Sequence, residues 1–129
     1  MSSPDSPYRI LLTSDAKADV ASLDGSIKKQ LRKVLEKKLA VAPTEYGEAL
    51  RGILTGYWSH HFATHRVIYR IYDDKRLVVV CAVGLRQGVH KSDVYQRIET
   101  VAKTGRVAEQ IREVLQRLQA STEVKPRPP

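Results

Sequence analysis

Acidic residues are scarce in this chain: 14 Asp and Glu stand against 22 Lys and Arg, so the formal net charge is +8 and the pI is near 9.8. Such an imbalance raises the local concentration of a protein near polyanions, and it favours nucleic acid, the ribosome or an acidic protein as partner. Cysteine is nearly absent. The single thiol, Cys81, lies inside the apolar run 77–83, which excludes a disulfide framework, fits a reducing cytoplasm and marks a buried, inert side chain. Long hydrophobic runs are missing as well. No stretch approaches a membrane span, and residues 1–10, polar and carrying Pro4 and Pro7, lack the apolar core of a signal peptide. A soluble, cytoplasmic protein with no membrane partner is expected. No internal repeat is visible, and 129 residues suffice for one domain with a buried core.

Turn residues and hydrophobic spacing divide the chain. Residues 1–7 read as a flexible lead and 120–129, ending Lys125-Pro126-Arg127-Pro128-Pro129, as a disordered tail, leaving 8–119 as the domain. Tyr8-Arg9-Ile10-Leu11-Leu12-Thr13 has the residue types of a first strand. Ser14 or Asp15 then caps a helix to about Leu23, and Asp24-Gly25 separates it from a second, 26–40, with Ile27, Leu31, Val34, Leu35 and Leu39 on one stripe. Pro43 closes that helix and opens a loop to Gly47. The outer face of the second helix carries Lys28, Lys29, Arg32, Lys33, Lys37 and Lys38 against Glu36 alone. Two readings stand for it: a solvated helix face, or a contact surface for a phosphate backbone. Residues 48–52 are either a short edge strand or an irregular lead.

Residues 56–72 alternate as two strands around a reversal at Ala63-Thr64. A two-residue loop there pairs Phe62 with His65, His61 with Arg66 and His60 with Val67. Trp58, His60, Phe62, His65, Val67, Tyr69 and Ile71 then share a core-suited face. Tyr57, Ser59, His61, Arg66, Ile68, Arg70 and Tyr72 share the other, where guanidinium, imidazole and phenol groups suit phosphate binding and proton transfer. An ordinary solvated strand face is the alternative. His60 and His65 read as hydrogen-bonded interior histidines. Zinc is disfavoured, since neighbouring strand residues point to opposite faces and no Cys or carboxylate completes a ligand set.

After the turn Asp73-Asp74-Lys75, residues 77–83 are apolar on both faces and read as a strand covered on both sides. A basic loop, 85–92, precedes a helix that Asp93 and Gln96 cap and that ends near Gly105. The stripe Val107, Ile111, Val114, Leu115 and Leu118 then makes a final helix over 106–119, expected to pack on the chain's own sheet. These elements make an α+β fold with helices against one sheet face, the other being left for function.

Several segments, in this order, resemble the RelE/ParE superfamily of toxins of type II toxin–antitoxin systems. They are the helix 15–23, Leu50-Arg51-Gly52 with Gly56-Tyr57-Trp58, the run Arg66-Val67-Ile68-Tyr69-Arg70-Ile71, and Val79-Val80-Cys81-Ala82-Val83-Gly84-Leu85-Arg86 before Asp93-Val94-Tyr95. The resemblance covers about residues 8–98, and its RelE branch is favoured. It implies a RelE-like microbial-ribonuclease fold: an antiparallel sheet of about four strands packed by two N-terminal helices, with C-terminal helices. It also implies a cognate antitoxin partner and, for the RelE branch, metal-free and cofactor-free cleavage of mRNA in the ribosomal A site. The ParE branch instead inhibits DNA gyrase, and a degenerate toxin that only binds its antitoxin is a further alternative.

Carried over by position, Arg66 matches the strand arginine used on the scissile phosphate, Arg86 the second phosphate-binding arginine, and Tyr95 the C-terminal tyrosine that stacks on or exchanges a proton with the substrate nucleotide. Solvated or packed side chains are the plainer readings of the same three. Tyr57 and Ser59 stand where the best-studied nucleases carry lysines, and His61 is positioned to replace part of that function as an acid or base near neutral pH. Lys28, Lys29, Arg32, Lys33, Lys37, Arg70 and Lys91 are the expected RNA- or ribosome-binding residues.

Overall fold

Strand β5 (Leu77–Leu85) is buried at every position but its last, so its neighbours must cover two faces and at least one edge. The computed structural model describes residues 7–85 and 93–123. In it β5 is flanked on one side by β1 (Arg9–Leu12) and on the other by β4 (His65–Tyr72), followed by β3 (Trp58–Phe62) and β2 (Glu48–Ala49). The sheet thus has five strands in the order β1-β5-β4-β3-β2. It is mixed. The expected antiparallel sheet of about four strands is corrected by β1, which pairs in parallel with residues 77–80 of β5 and shields that edge, and by the short β2 on the far edge.

Helices lie on both faces. Thr13, rather than Ser14 or Asp15, caps α1 (Ser14–Ala21): its hydroxyl accepts from the Ala16 N–H at 3.1 Å and donates to the Cys81 carbonyl at 3.4 Å. Its burial inside the sheet edge keeps water from competing for those bonds. Asp24 caps α2 (Gly25–Val34), which continues through a π turn over Leu35–Leu39 that buries Leu39 and Ala40 together. Pro43 does not merely end this helix. With its fixed φ and missing N–H it starts a short helix, α3 (Pro43–Tyr46), where a loop was expected. Ala16, Leu31, Val34 and Leu39 from α1 and α2 meet Phe62, Val67, Tyr69, Val78, Val80 and Val83 as one core.

The second core corrects the expectation of an uncovered face. Helices α4 (Val94–Lys103) and α5 (Arg106–Glu123) place Val94, Ile98, Val107, Ile111 and Val114 against Tyr57, Ile68, Leu77, Val79, Cys81 and Ala82. The cause is β5 itself, whose second face is as apolar as its first. The α5 stripe packs on the chain's own sheet, as expected, and the helix runs past 119 to Glu123. A fork from Arg106 to Asp15, at 2.7 and 2.8 Å, ties α5 back to α1. A bulge allows Cys81 and Ala82 to face the same core: Ile68 pairs with Ala82 and Tyr69 with Val80, leaving Cys81 as the extra residue. Burial pushes the Cys81 thiol up to about 12, which makes it inert as expected. Among the described residues no helix is long and apolar enough to cross a membrane.

Tyr69 links the first core to α3. Fully buried, its hydroxyl donates to the Pro43 carbonyl at 2.7 Å, and Gly47 leaves the room it needs, because a Cβ there would collide with that hydroxyl. Replacing Tyr69 by Phe would leave a buried carbonyl unpaired. Urea unfolding should show a loss of about 1–3 kcal/mol with an unchanged m-value.

Candidate functional site

The β3–β4 hairpin turns at Ala63-Thr64 with the expected pairs: Phe62 with His65, His61 with Arg66 and His60 with Val67. Ala63 takes a left-handed φ of 49° to close the turn. Toward Tyr57 and Ile68 the second face of this hairpin lies under α4 and α5, but toward the turn that apolar cover runs out. Strand β2 ends the sheet by pairing Glu48 with Ser59 and Ala49 with Trp58 only, so the outer edge of β3 beyond Ser59 has no strand partner. A polar cleft of about 370 Å³ opens there, lined by Tyr46, Glu48, Ser59, His60, His61, Arg66 and Tyr95.

Three of the four residues expected at the reacting centre therefore share one cleft. Arg66 is half-buried and donates from Nη1 to the His65 carbonyl at 3.2 Å; His61 is exposed opposite it. Tyr95 reaches the cleft because Asp93 caps α4, accepting from the N–H groups of Tyr95 and Gln96 at 2.9 and 3.2 Å. Its phenol shares a hydrogen bond of 2.6 Å with the Ser59 hydroxyl. Arg86 and Lys91 lie outside the described residues.

Tyr57 is buried beneath this face, so of the two positions where lysines were noted as missing only Ser59 borders the cleft. Arg70 sits elsewhere: its guanidinium stacks 4.9 Å from the Tyr57 ring centre and 6.0 Å from that of Tyr72.

The structure adds Tyr46 and Glu48, which sequence spacing did not single out. They arrive on a one-turn helix and a two-residue strand, elements too short to show a period. His60 joins them from the core face by reaching round the open strand edge. Its Nδ1 lies 2.8 Å from the Tyr46 carbonyl, which can only accept, so Nδ1 carries the proton. Its buried Nε2 has no hydrogen-bond partner among the described residues. Burial holds the His60 pKa below the usual imidazole value, with Lys38 and His61 adding to the shift and the Tyr46 carbonyl opposing it.

A second groove, of about 550 Å³, adjoins the first and is lined by Gln30, Lys33, Lys37, Lys38, His61 and Ala63 among others. His61 belongs to both. Lys38 also lies over the Tyr46 ring, 5.7 Å from its centre, so cations continue from the cleft onto α2. Lys28, Lys29, Arg32, Lys33 and Lys37 are all exposed and take part in no ion pair among the described residues. No group of three or more His, Cys, Asp or Glu side chains among the described residues is arranged to hold a metal ion.

A mixed five-stranded sheet packed by helices is a fold this chain shares with solved RelE-like toxins. Residues 10–89 match the ParE toxin family of type II toxin–antitoxin systems, parDE, and the chain belongs to that family. It is 31% identical to Toxin RelG of Mycobacterium tuberculosis over 91 residues, 70% of this chain and 99% of RelG. The toxin–antitoxin complex RelBE2 of the same organism superposes with a TM-score of 0.60 at 31% identity, covering 62% of this chain and 92% of that one. The intact E. coli RelBE complex gives 0.54 at 25% identity, with 63% and 99% covered. Isolated E. coli RelE, at 21% identity, shares the fold with a TM-score of 0.54, over 73% of this chain and 98% of that one. Tyr95 and α5 lie beyond the family match, which ends at residue 89.

The lowered His60 pKa has a consequence for stability. Between the folded and unfolded pKa values the unfolded chain binds the extra proton, so stability is complete above the ordinary imidazole value of 6.5 and falls as pH drops below it. His65, lowered by its own burial, acts in the same direction. The urea midpoint should decline from about pH 7 to about pH 5, and His60→Gln should make that decline shallower without abolishing it.

Proposed function

We propose that this toxin is a ribosome-dependent endoribonuclease that cuts mRNA in the A site by metal-free attack of a 2′-hydroxyl on the adjoining phosphate. The observation that carries the reading is the cross-strand pair His61 and Arg66 in a polar cleft with Tyr95, continuous with the basic face of α2. The reaction forms a bond from the 2′-oxygen to phosphorus and breaks the bond to the 5′-oxygen. It needs a proton acceptor, a cation for the charge that builds on the phosphoryl oxygens, and a proton donor for the leaving oxygen. Arg66 supplies the cation. Glu48 and His61 are the cleft groups able to take and return the proton. Tyr95, held by Ser59, offers a ring for stacking and a phenol for hydrogen bonding. The exposed cations of α2 lie where an RNA backbone leaving the cleft would run, Lys91 is proposed to add to them, and Arg86 is proposed as the second arginine on the scissile phosphate. The cytoplasm, where ribosomes work, is the proposed location.

A cognate antitoxin is the proposed protein partner, since RelBE2 and E. coli RelBE are complexes of toxin with antitoxin. An acidic or amphipathic segment would complement the basic surface. Inhibition of DNA gyrase is the second reading, favoured by the absence of lysine at Tyr57 and Ser59.

Primer extension on ribosomes stalled on a defined mRNA separates the two. A new 5′ end within the A-site codon is expected, and Arg66→Ala should weaken it about 100-fold or more. An intact message, together with covalent gyrase–DNA breaks in expressing cells, would replace the nuclease reading with the gyrase one. A protein harmless in both assays would be a toxin reduced to binding its antitoxin.

A further inference from the structure

Two helices remote in sequence meet on one residue of β5. Strand β1 stops at Leu12, opposite Val80, and past Thr13, which donates to the Val80 and Cys81 carbonyls, β5 has no strand partner on this edge. Both main-chain polar groups of Val83 are nevertheless satisfied there. Asp19 of α1 accepts from the Val83 N–H through Oδ2 at 2.9 Å, and Arg97 of α4 donates from Nη2 to the Val83 carbonyl at 3.2 Å. The two side chains also bond each other, Arg97 Nη1 to Asp19 Oδ1 at 3.1 Å. The carboxylate and guanidinium thus take the place of a missing strand at this point.

The next residue is shaped to admit the guanidinium. A Cβ at Gly84 would lie 2.5 Å from Arg97 Nη2 and 3.4 Å from the Val94 Cβ, so the Arg97 fork rests against bare backbone. Gly84 is also the residue that pairs with Arg66. One short stretch of β5 therefore holds Arg66 through its β4 edge and α4 through its open edge. Tyr95 lies on the first turn of that helix, two residues before Arg97. Neither Asp19 nor Arg97 lines the cleft.

We propose that the Asp19–Arg97 pair, closed on Val83, is a positioning device that sets Tyr95 against Ser59 and Arg66 across the cleft. An ion pair this exposed, 15% for Asp19 and 39% for Arg97, adds little by charge alone. Its value is geometric: it fixes where α4 begins relative to the strand that carries the arginine. The kinetic consequence rests on the nuclease reading above; the placement of Tyr95 does not.

The test labels the six tyrosines with meta-fluorotyrosine and follows the Tyr95 fluorine resonance, assigned with Tyr95→Phe. In Asp19→Asn and Arg97→Gln that resonance should move toward the free amino acid, the double variant moving no further than either single one. Arg97→Lys should recover part of the shift. Asp15→Asn, which loosens the tie from α1 to α5 instead, should leave the resonance in place. In ribosome-dependent cleavage, kcat should fall about tenfold or more with KM within about twofold. If Asp19→Asn does not fold, Gly84→Ala displaces the fork with both charges kept and should move the resonance equally. A stationary Tyr95 resonance in folded Arg97→Gln would overturn the proposal. A displaced resonance in a protein whose parent never cleaves mRNA would uphold the clamp and count against the nuclease reading.

Discussion

Everything in this fold is arranged around a strand with no polar side. Because β5 is apolar on both faces, a helical layer on one side only would leave half of it in water. At roughly 25 cal/mol per Å² of apolar surface, that exposure would cost several kcal/mol in a domain whose whole margin is about 5–15 kcal/mol. Two cores result, one under α1 and α2 and the other under α4 and α5. The bulge at Cys81 follows from the same demand, since it lets consecutive small side chains enter one core where strict alternation would send Ala82 to the other.

The cleft arises where this apolar cover ends. Along β3 and β4 the second face is packed near Tyr57 and Ile68, then carries Ser59, His61 and Arg66 toward the turn, where α4 contributes Tyr95 instead of another aliphatic group. Polar side chains gather there because the short β2 leaves the edge of β3 unpaired beyond Ser59. The same gap lets His60 and Tyr46 reach the cleft from the opposite side. The uncompensated cations of α2 extend the site rather than form a separate one, since His61 lines both grooves.

Membership of the ParE toxin family and likeness to RelE structures agree on a toxin fold but not on a target. The details of this chain bear on that choice. Burial of Tyr57 removes one of the two positions where lysines would be expected. The other, Ser59, is engaged with Tyr95. Chemistry in this cleft would accordingly lean on Arg66, His61 and Glu48, with the placement of Tyr95 resting on the proposed clamp from Arg97 of the same helix to Asp19 and Val83.

Much of this was legible from residue order alone. The hairpin register followed from the two-residue turn, because that loop length sets Phe62 opposite His65 and alternation then places Phe62, Val67 and Tyr69 on a common face. The break at Asp24-Gly25, the cap at Asp93 and the double burial of β5 are likewise local or compositional, and local chemistry is what a sequence records directly. Contacts between distant segments are not so recorded. That β1 runs parallel to β5, that Thr13 rather than Ser14 caps α1, and that Glu48 and Tyr46 enter the cleft all depend on which surfaces meet once both cores have closed. The sequence by itself determined the longer helices and strands, the two faces of the hairpin and the charge of α2. Only the tertiary structure decided how far the apolar cover reaches and which open backbone groups Asp19 and Arg97 would satisfy, because those outcomes are set by burial and hydrogen-bond satisfaction between separate elements, Asp19 meeting Val83 and Arg97 from 64 and 78 residues away.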